Sequence, residues 1–181
     1  MLTDLQKRKL TKLFAMYDTR CDGYLLAEDY ENMAKKIAAS RNLGLRSIKC
    51  QTLMSQFTYD WKCLQKKADG THDQKVSLKE WLEYHDEILG DRSKYDEQIR
   101  ARTVALLDAF DRDENGGLSQ QEWAELLKVY NVSPVYADIV YPALDTNQDG
   151  FLTKDEILQL IDDFYYSDDP NAPANMMFGP Y

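Results

Sequence analysis

The sequence predicts an all-α fold. Four helix-loop-helix units pack as two pairs in a compact globule, and the C-terminal tail docks between the two lobes. Three observations predict it. Four twelve-residue stretches, starting at Asp18, Asp69, Asp111 and Asp145, share one acidic frame, with Asp at the first position, Asp or Asn at the fifth and Asp or Glu at the twelfth. Each is flanked by apolar residues recurring every three or four positions, the period of a helix with one buried face. Each such unit leaves an apolar face that a neighbour must cover, so four of them pair.

Bulk properties bound the rest. The 181 residues suffice for one domain or for two small lobes sharing a core. The expected boundaries are 1–90 for the first pair of units, 91–167 for the second and 168–181 for the tail. The net charge of −9, with the acids clustered, suits cations and argues against nucleic acid or an anionic lipid surface as main partner. The start MLTDLQKRKL lacks the apolar core of a signal peptide, and no run of about 18 apolar residues exists to span a membrane. Cys21, Cys50 and Cys63 are odd in number and irregularly spaced, which fits a reducing, cytoplasmic setting better than a disulfide frame or a zinc site.

Thr3 and Gln6 form a T-x-x-Q capping box that opens the first helix, with Leu10, Leu13, Phe14 and Tyr17 on its apolar face. The loop Asp18 to Asp29 follows. Asp18, Asp22 and Asp29 stand at positions 1, 5 and 12, Gly23 at 6 and Tyr24 at 7. Arg20 takes position 3 and Leu26 position 9, where ligand oxygens belong. Asp29 is shorter than Glu and suits magnesium better than calcium. With Arg20 swung into solvent the loop is a weak site; otherwise it is kept only for its shape. Tyr30, Met33, Ala34 and Ile37 line the exit helix, and Gly44 breaks the pattern. A long helix is expected from about Ser47 to Lys67, with Ile48, Phe57, Trp61 and Leu64 in the core.

The loop Asp69 to Glu80 offers Asp69, Thr71, Asp73, Ser77 and Glu80 at positions 1, 3, 5, 9 and 12, and the Lys75 carbonyl at 7. Gln74 sits at position 6, where the turn asks for positive φ, at a cost on the order of 1 kcal/mol. Ion binding outweighs that cost. His72 is read as a solvent residue and His85 as a partly buried structural one. Trp81, Tyr84 and Ile88 pack the exit helix, and 90–94 is a short polar joint, so the lobes must touch.

The loop Asp111 to Glu122 is complete: Asp111, Asp113, Asn115, Gly116, the Gly117 carbonyl, Ser119 and Glu122. So is Asp145 to Glu156, with Asp145, Asn147, Asp149, Gly150, the Phe151 carbonyl, Thr153 and Glu156. Both match D-x-[DN]-x-[DN]-G-x5-E. Calcium is a hard cation that takes roughly 6–8 oxygens, so these spaced carboxylates and amides suit it and thiols do not. Between the two loops Ser133 and Pro134 are expected at N-cap and N1 of a helix that Pro142 kinks or ends early. Ile157, Leu160, Ile161, Phe164 and Tyr165 line the last helix. The tail cannot be helical throughout, given Pro170, Pro173 and Pro180. Yet it carries Met176, Met177, Phe178 and Tyr181, an apolar patch unless it docks.

The four loops identify the chain as resembling the EF-hand superfamily. The stretched first pair, the segment WKCLQKKAD…VSLKEWLEY and the ending DFYYSDDPNAPANMMFG resemble the sarcoplasmic calcium-binding proteins, the calexcitin group among them. The resemblance covers essentially the whole chain. It implies two EF-hand lobes packed face to face and a short β-contact within each pair, Leu25 with Val76 and Leu118 with Leu152. Members often lose one or two sites, so Arg20 and Gln74 bear on the number of ions bound.

The expected function is a calcium buffer or store, a monomer holding calcium in about three of its loops, with magnesium competing in the N-terminal ones. A sensor opens a flexible Met-rich groove. No Met lies between Asp91 and Tyr166, where rigid aromatics stand instead. The alternative is a calcium-dependent regulator of a partner protein, which requires the tail to be released. A luciferin-binding protein or photoprotein fits less well, because the chain has only His72 and His85. An enzyme fits least, since no nucleophile and base can be paired.

Overall fold

Each acidic loop is entered and left by a helix, and the loops meet in pairs across short strands. A computed structural model describes residues 1–70 and 73–180; Thr71, His72 and Tyr181 lie outside the described residues. In the first lobe α1 (Asp4–Tyr17) leads into β1 (Tyr24–Leu25) and α2 (Ala27–Ser40). The long α3 (Ile48–Ala68) leads into β2 (Val76–Ser77) and α4 (Leu78–Leu89). The second lobe begins with α5 (Arg92–Tyr95), a π-helical turn (Asp96–Arg100) and α6 (Ala101–Phe110). Then follow β3 (Gly117–Ser119), α7 (Gln120–Val129), α8 (Val135–Leu144), β4 (Phe151–Thr153) and α9 (Lys154–Tyr166). A 3-10 turn, Pro173–Met176, lies in the tail.

The strands pair antiparallel, β1 with β2 and β3 with β4. Leu25 faces Val76 and Leu118 faces Leu152, as the resemblance implied, and all four are fully buried. Thr3 caps α1 as expected: its hydroxyl accepts from the Gln6 amide, and the Gln6 side chain accepts from the Thr3 amide.

Several expectations need correction. Ile48 is 82 % exposed; Cys50 and Leu53 take the core face of α3, because Ile48 is the first residue after the Ser47 cap and projects outward. The polar joint shrinks to Gly90 and Asp91, since Arg92 and Lys94 are already helical and the Asp91 side chain caps them. The helix after Asn131 begins at Val135, with Pro134 as its cap residue, one position later than expected. Pro142 does not end that helix early, and α8 runs on to Leu144. Pro142 lies on the solvent side with Asp138, the residue four back, so water can satisfy the carbonyl that loses its donor. His85 is fully buried rather than partly.

The lobes face each other across a shared core, with α3 against α6 and α1 against α9. Tyr17 of the first lobe lies 5.0 Å from Tyr30 and 6.1 Å from Tyr130 of the second, ring centre to ring centre. Phe178 then packs edge-on to Tyr130 and Phe164, which seats the tail in this aromatic cluster. Met177 is 1 % exposed. The Lys9 ammonium donates to the Ser167 carbonyl at 3.0 Å and to Asn175 Oδ1 at 3.1 Å, fastening tail to α1. Burial lowers Lys9 to about 8, against the pull of Asp168 and Asp163.

Candidate metal centres in the acidic loops

Each loop is built by the same local device. The carboxylate at position 1 accepts from the amide at position 6, which pulls the chain into a ring. Gly23 N donates to Asp18 Oδ2 at 2.8 Å, Gln74 N to Asp69 Oδ2 at 2.9 Å, Gly116 N to Asp111 Oδ2 at 3.0 Å and Gly150 N to Asp145 Oδ2 at 2.8 Å. Position 6 has positive φ throughout: 82° at Gly23, 64° at Gln74, 93° at Gly116 and 81° at Gly150. Gln74 therefore takes the left-handed turn that the frame demands, despite its Cβ.

At the far end of three loops, position 9 caps the exit helix and position 12 completes the box. Ser77, Ser119 and Thr153 accept from the amides of Glu80, Glu122 and Glu156. One oxygen of each glutamate accepts in return from the amide and hydroxyl at position 9, at 2.7–2.9 Å. Capping thus fixes the orientation of the carboxylate through the chain's own hydrogen bonds.

The third loop brings one carboxylate oxygen each of Asp111, Asp113 and Glu122 within 4.8 Å of one another. Burial works against the Glu122 carboxylate. The Arg112 and Ser119 amides, the Ser119 hydroxyl and Arg41 outweigh it and hold its pKa below the ordinary range. Gly117 at position 7 has a structural reason. A Cβ there would lie 2.2 Å from the Leu152 carbonyl oxygen, so only glycine lets β3 approach β4.

In the fourth loop Asp145 Oδ1 is buried and has no hydrogen-bond partner. A buried carboxylate oxygen left orphaned is costly. Here it points to a cation. Asn147 Nδ2 bonds Asp149 Oδ2 at 3.1 Å and Glu156 Oε1 at 2.9 Å, so positions 3, 5 and 12 already converge. Tyr141, on α8, donates its hydroxyl to the Leu118 carbonyl at 2.7 Å and ties this loop to its partner. These donor sets, all oxygen and rich in carboxylate, fit calcium. In the second loop Asp69, Asp73, Lys75 and Glu80 hold the same frame, while Thr71 lies outside the described residues.

The first loop differs. Arg20 does not swing into solvent: its guanidinium turns inward, 3.0 Å from Asp29 Oδ2 and 3.2 Å from Asp22 Oδ2. A planar cation among carboxylates gains charge-assisted hydrogen bonds that solvent cannot match.

Several polar side chains that join the lobes are not apparent from the sequence. Arg102 of α6 and Asp60 of α3 form a buried pair at 3.0 Å across the lobes. Burial pushes Asp60 up to about 6, with Arg102 and Gln56 opposing. Arg41 pairs with Glu125, and Lys49 reaches Glu114 at 3.0 Å and the Asp111 carbonyl at 3.3 Å, so the first lobe grips the third loop. The signal for Lys9, Asp60 and Arg102 was available: each interrupts an otherwise apolar helical stripe.

The EF-hand family profile matches residues 103–127 and 143–161, the segments that hold the third and fourth loops. Calerythrin of Saccharopolyspora erythraea is 23 % identical over 168 residues, 92 % of this chain and 95 % of that protein. The luciferin-binding protein of Renilla reniformis is 25 % identical over 175 residues, 95 % of this chain and 92 % of that one. The structure of the amphioxus sarcoplasmic calcium-binding protein superposes with a TM-score of 0.79 at 18 % identity, over 100 % of both chains. The chain thus resembles the EF-hand superfamily, and its fold is that shared by a sarcoplasmic calcium-binding protein and a photoprotein.

Proposed function

We propose that the chain is an intracellular calcium buffer that holds calcium in its second, third and fourth loops. The ligands are Asp69, Thr71, Asp73, the Lys75 carbonyl and Glu80; Asp111, Asp113, Asn115, the Gly117 carbonyl, Ser119 and Glu122; and Asp145, Asn147, Asp149, the Phe151 carbonyl, Thr153 and Glu156. The observation that carries the buffer reading is the burial of Met177, which with Phe178 lines a cavity enclosed by Tyr17 and Trp81 of the first lobe and Trp123 and Tyr165 of the second. A sensor shows its apolar face to a partner when calcium binds; here the tail and the opposite lobe cover that face. Magnesium competes most at the second loop, whose frame is the less regular.

A regulator of a partner protein is the second reading, and one observation favours it. Arg41 and Lys49 touch the third loop and its exit helix, so calcium entering there reaches the lobe contact directly. The luciferin-type reading finds little support. The central cavity, between Tyr17, Trp81, Arg102, Trp123 and Tyr165, measures about 40 Å³. Small-molecule pockets run to roughly 300–1,000 Å³.

The test is calorimetric. The chain is expected to take three calcium ions, and E80Q, E122Q and E156Q one fewer each. A stoichiometry unmoved by E122Q or E156Q would contradict the assignment.

A further inference from the structure

We infer that Arg20 is a built-in cation that takes the place of a metal ion in the first loop. The guanidinium sits at position 3, where an EF-hand loop supplies a ligand oxygen. Its Nε bonds Asp22 at position 5, and an Nη bonds Asp29 at position 12. Glu28 lies 3.9 Å from the other Nη. The remaining acceptors are filled by the loop itself. Asp18 Oδ1 and Oδ2 take the Asp22 and Gly23 amides, Asp22 Oδ1 takes the Tyr24 amide, and Asp29 Oδ1 takes the Thr19 hydroxyl. Asp29 Oδ2 also accepts from the Leu26 amide at 2.8 Å. Every carboxylate oxygen of positions 1, 5 and 12 has a donor. The fourth loop, by contrast, leaves Asp145 Oδ1 buried and orphaned.

Two physical facts keep a calcium ion out. It would have to expel a tethered cation whose effective concentration beside Asp29 is set by the chain itself, and Asp29 is 1 % exposed. It would also find no ligand at position 3 and an apolar Leu26 at position 9. The first loop is therefore closed at any calcium level. Through the pairing of Tyr24 with Ser77 and Leu25 with Val76, it presents the second loop with a partner strand that is already formed. The second loop then binds as an independent site and not as half of a cooperative pair.

The proposal rests on the calcium reading of the other loops, and the test separates the two. Each position-6 amide (Gly23, Gln74, Gly116 and Gly150) bonds the position-1 carboxylate, so its NMR signal reports ligation at its own loop. In the wild-type chain, calcium is expected to shift Gln74, Gly116 and Gly150 and to leave Gly23 in place up to millimolar concentration. In R20D, which replaces the cation by a ligand, Gly23 is expected to shift as well, and native mass spectrometry to count one more ion. A wild-type Gly23 signal that moves with the others would overturn the inference without use of a variant. So would a folded R20D chain that gains no ion in millimolar calcium. Silent Gly116 and Gly150 signals would instead remove the calcium reading, and the proposal with it.

Discussion

Gln74 holds a left-handed turn at φ 64° that glycine holds in the other three loops. Its Cβ costs about 1–2 kcal/mol there, partly offset by the lower chain entropy of a non-glycine residue when unfolded. Q74G is expected to raise stability in calcium-free buffer by about 0.5–1 kcal/mol, read from urea unfolding; an unchanged or lower midpoint would contradict the strain. His85 gives a pH prediction. Its Nδ1–H donates to the Trp81 carbonyl at 2.8 Å, and its ring packs on Trp81 and parallel to Tyr165. Burial lowers its pKa from 6.5 to about 3, the Trp81 bond opposing and Arg102 assisting. Between these values the unfolded chain takes up a proton that the folded chain refuses. The contribution is therefore whole above pH 6.5 and is lost as pH falls, at up to about 1.4 kcal/mol per unit. In calcium-free buffer H85Q is expected to flatten the stability profile between pH 6.5 and 5; identical slopes would count against the assignment. Among the loop residues, the sequence did not place the side chain of Arg20. Its position in the loop was plain, but whether a long side chain turns to solvent or inward depends on Asp29 being buried, which spacing alone does not reveal.

At the scale of elements, one glutamate serves two ends. Glu156 is both the third residue of α9, completing the Thr153 capping box, and the last position of the fourth loop. The same holds for Glu122 on α7 and Glu80 on α4. The two roles separate by substitution. E156Q keeps an acceptor for the Thr153 amide and is expected to lose the ion while calcium-free stability changes by less than about 0.5 kcal/mol. E156A loses both and is expected to cost about 1 kcal/mol more in calcium-free buffer. Equal calcium-free midpoints for the two variants would show that the cap is idle. The loops and helix faces were legible in the sequence because position, ligand type and helical period are local. The pairs Asp60–Arg102 and Lys9–Asn175 were not, because their partners lie far apart in the chain. A polar residue on an apolar stripe announces that it needs a partner but does not name it. Ile48 misled because periodicity cannot tell the first turn of a helix from its buried middle.

Across the whole molecule, the tail and the lobe contacts bury the junction between the lobes. Met177 is buried and, beside Phe178, lines the cavity that residues of both lobes enclose. M177A is expected to cost about 2–5 kcal/mol of unfolding free energy, measured with denaturant in saturating calcium; a cost under 1 kcal/mol would mean that the tail is not seated. The docked tail was foreseeable from composition alone, since an apolar run among prolines must be covered. Its anchor, Asn175 on Lys9, was not. On the buffer proposal, calcium fills loops in a molecule that stays closed. Fluorescence of a hydrophobic dye, followed through a calcium titration of the full chain with calorimetry on the same samples, tests it most directly. Three bound ions and no rise in dye signal are expected from first addition to saturation. A large dye signal that appears only with calcium would contradict it, and would establish a surface that calcium opens for a partner.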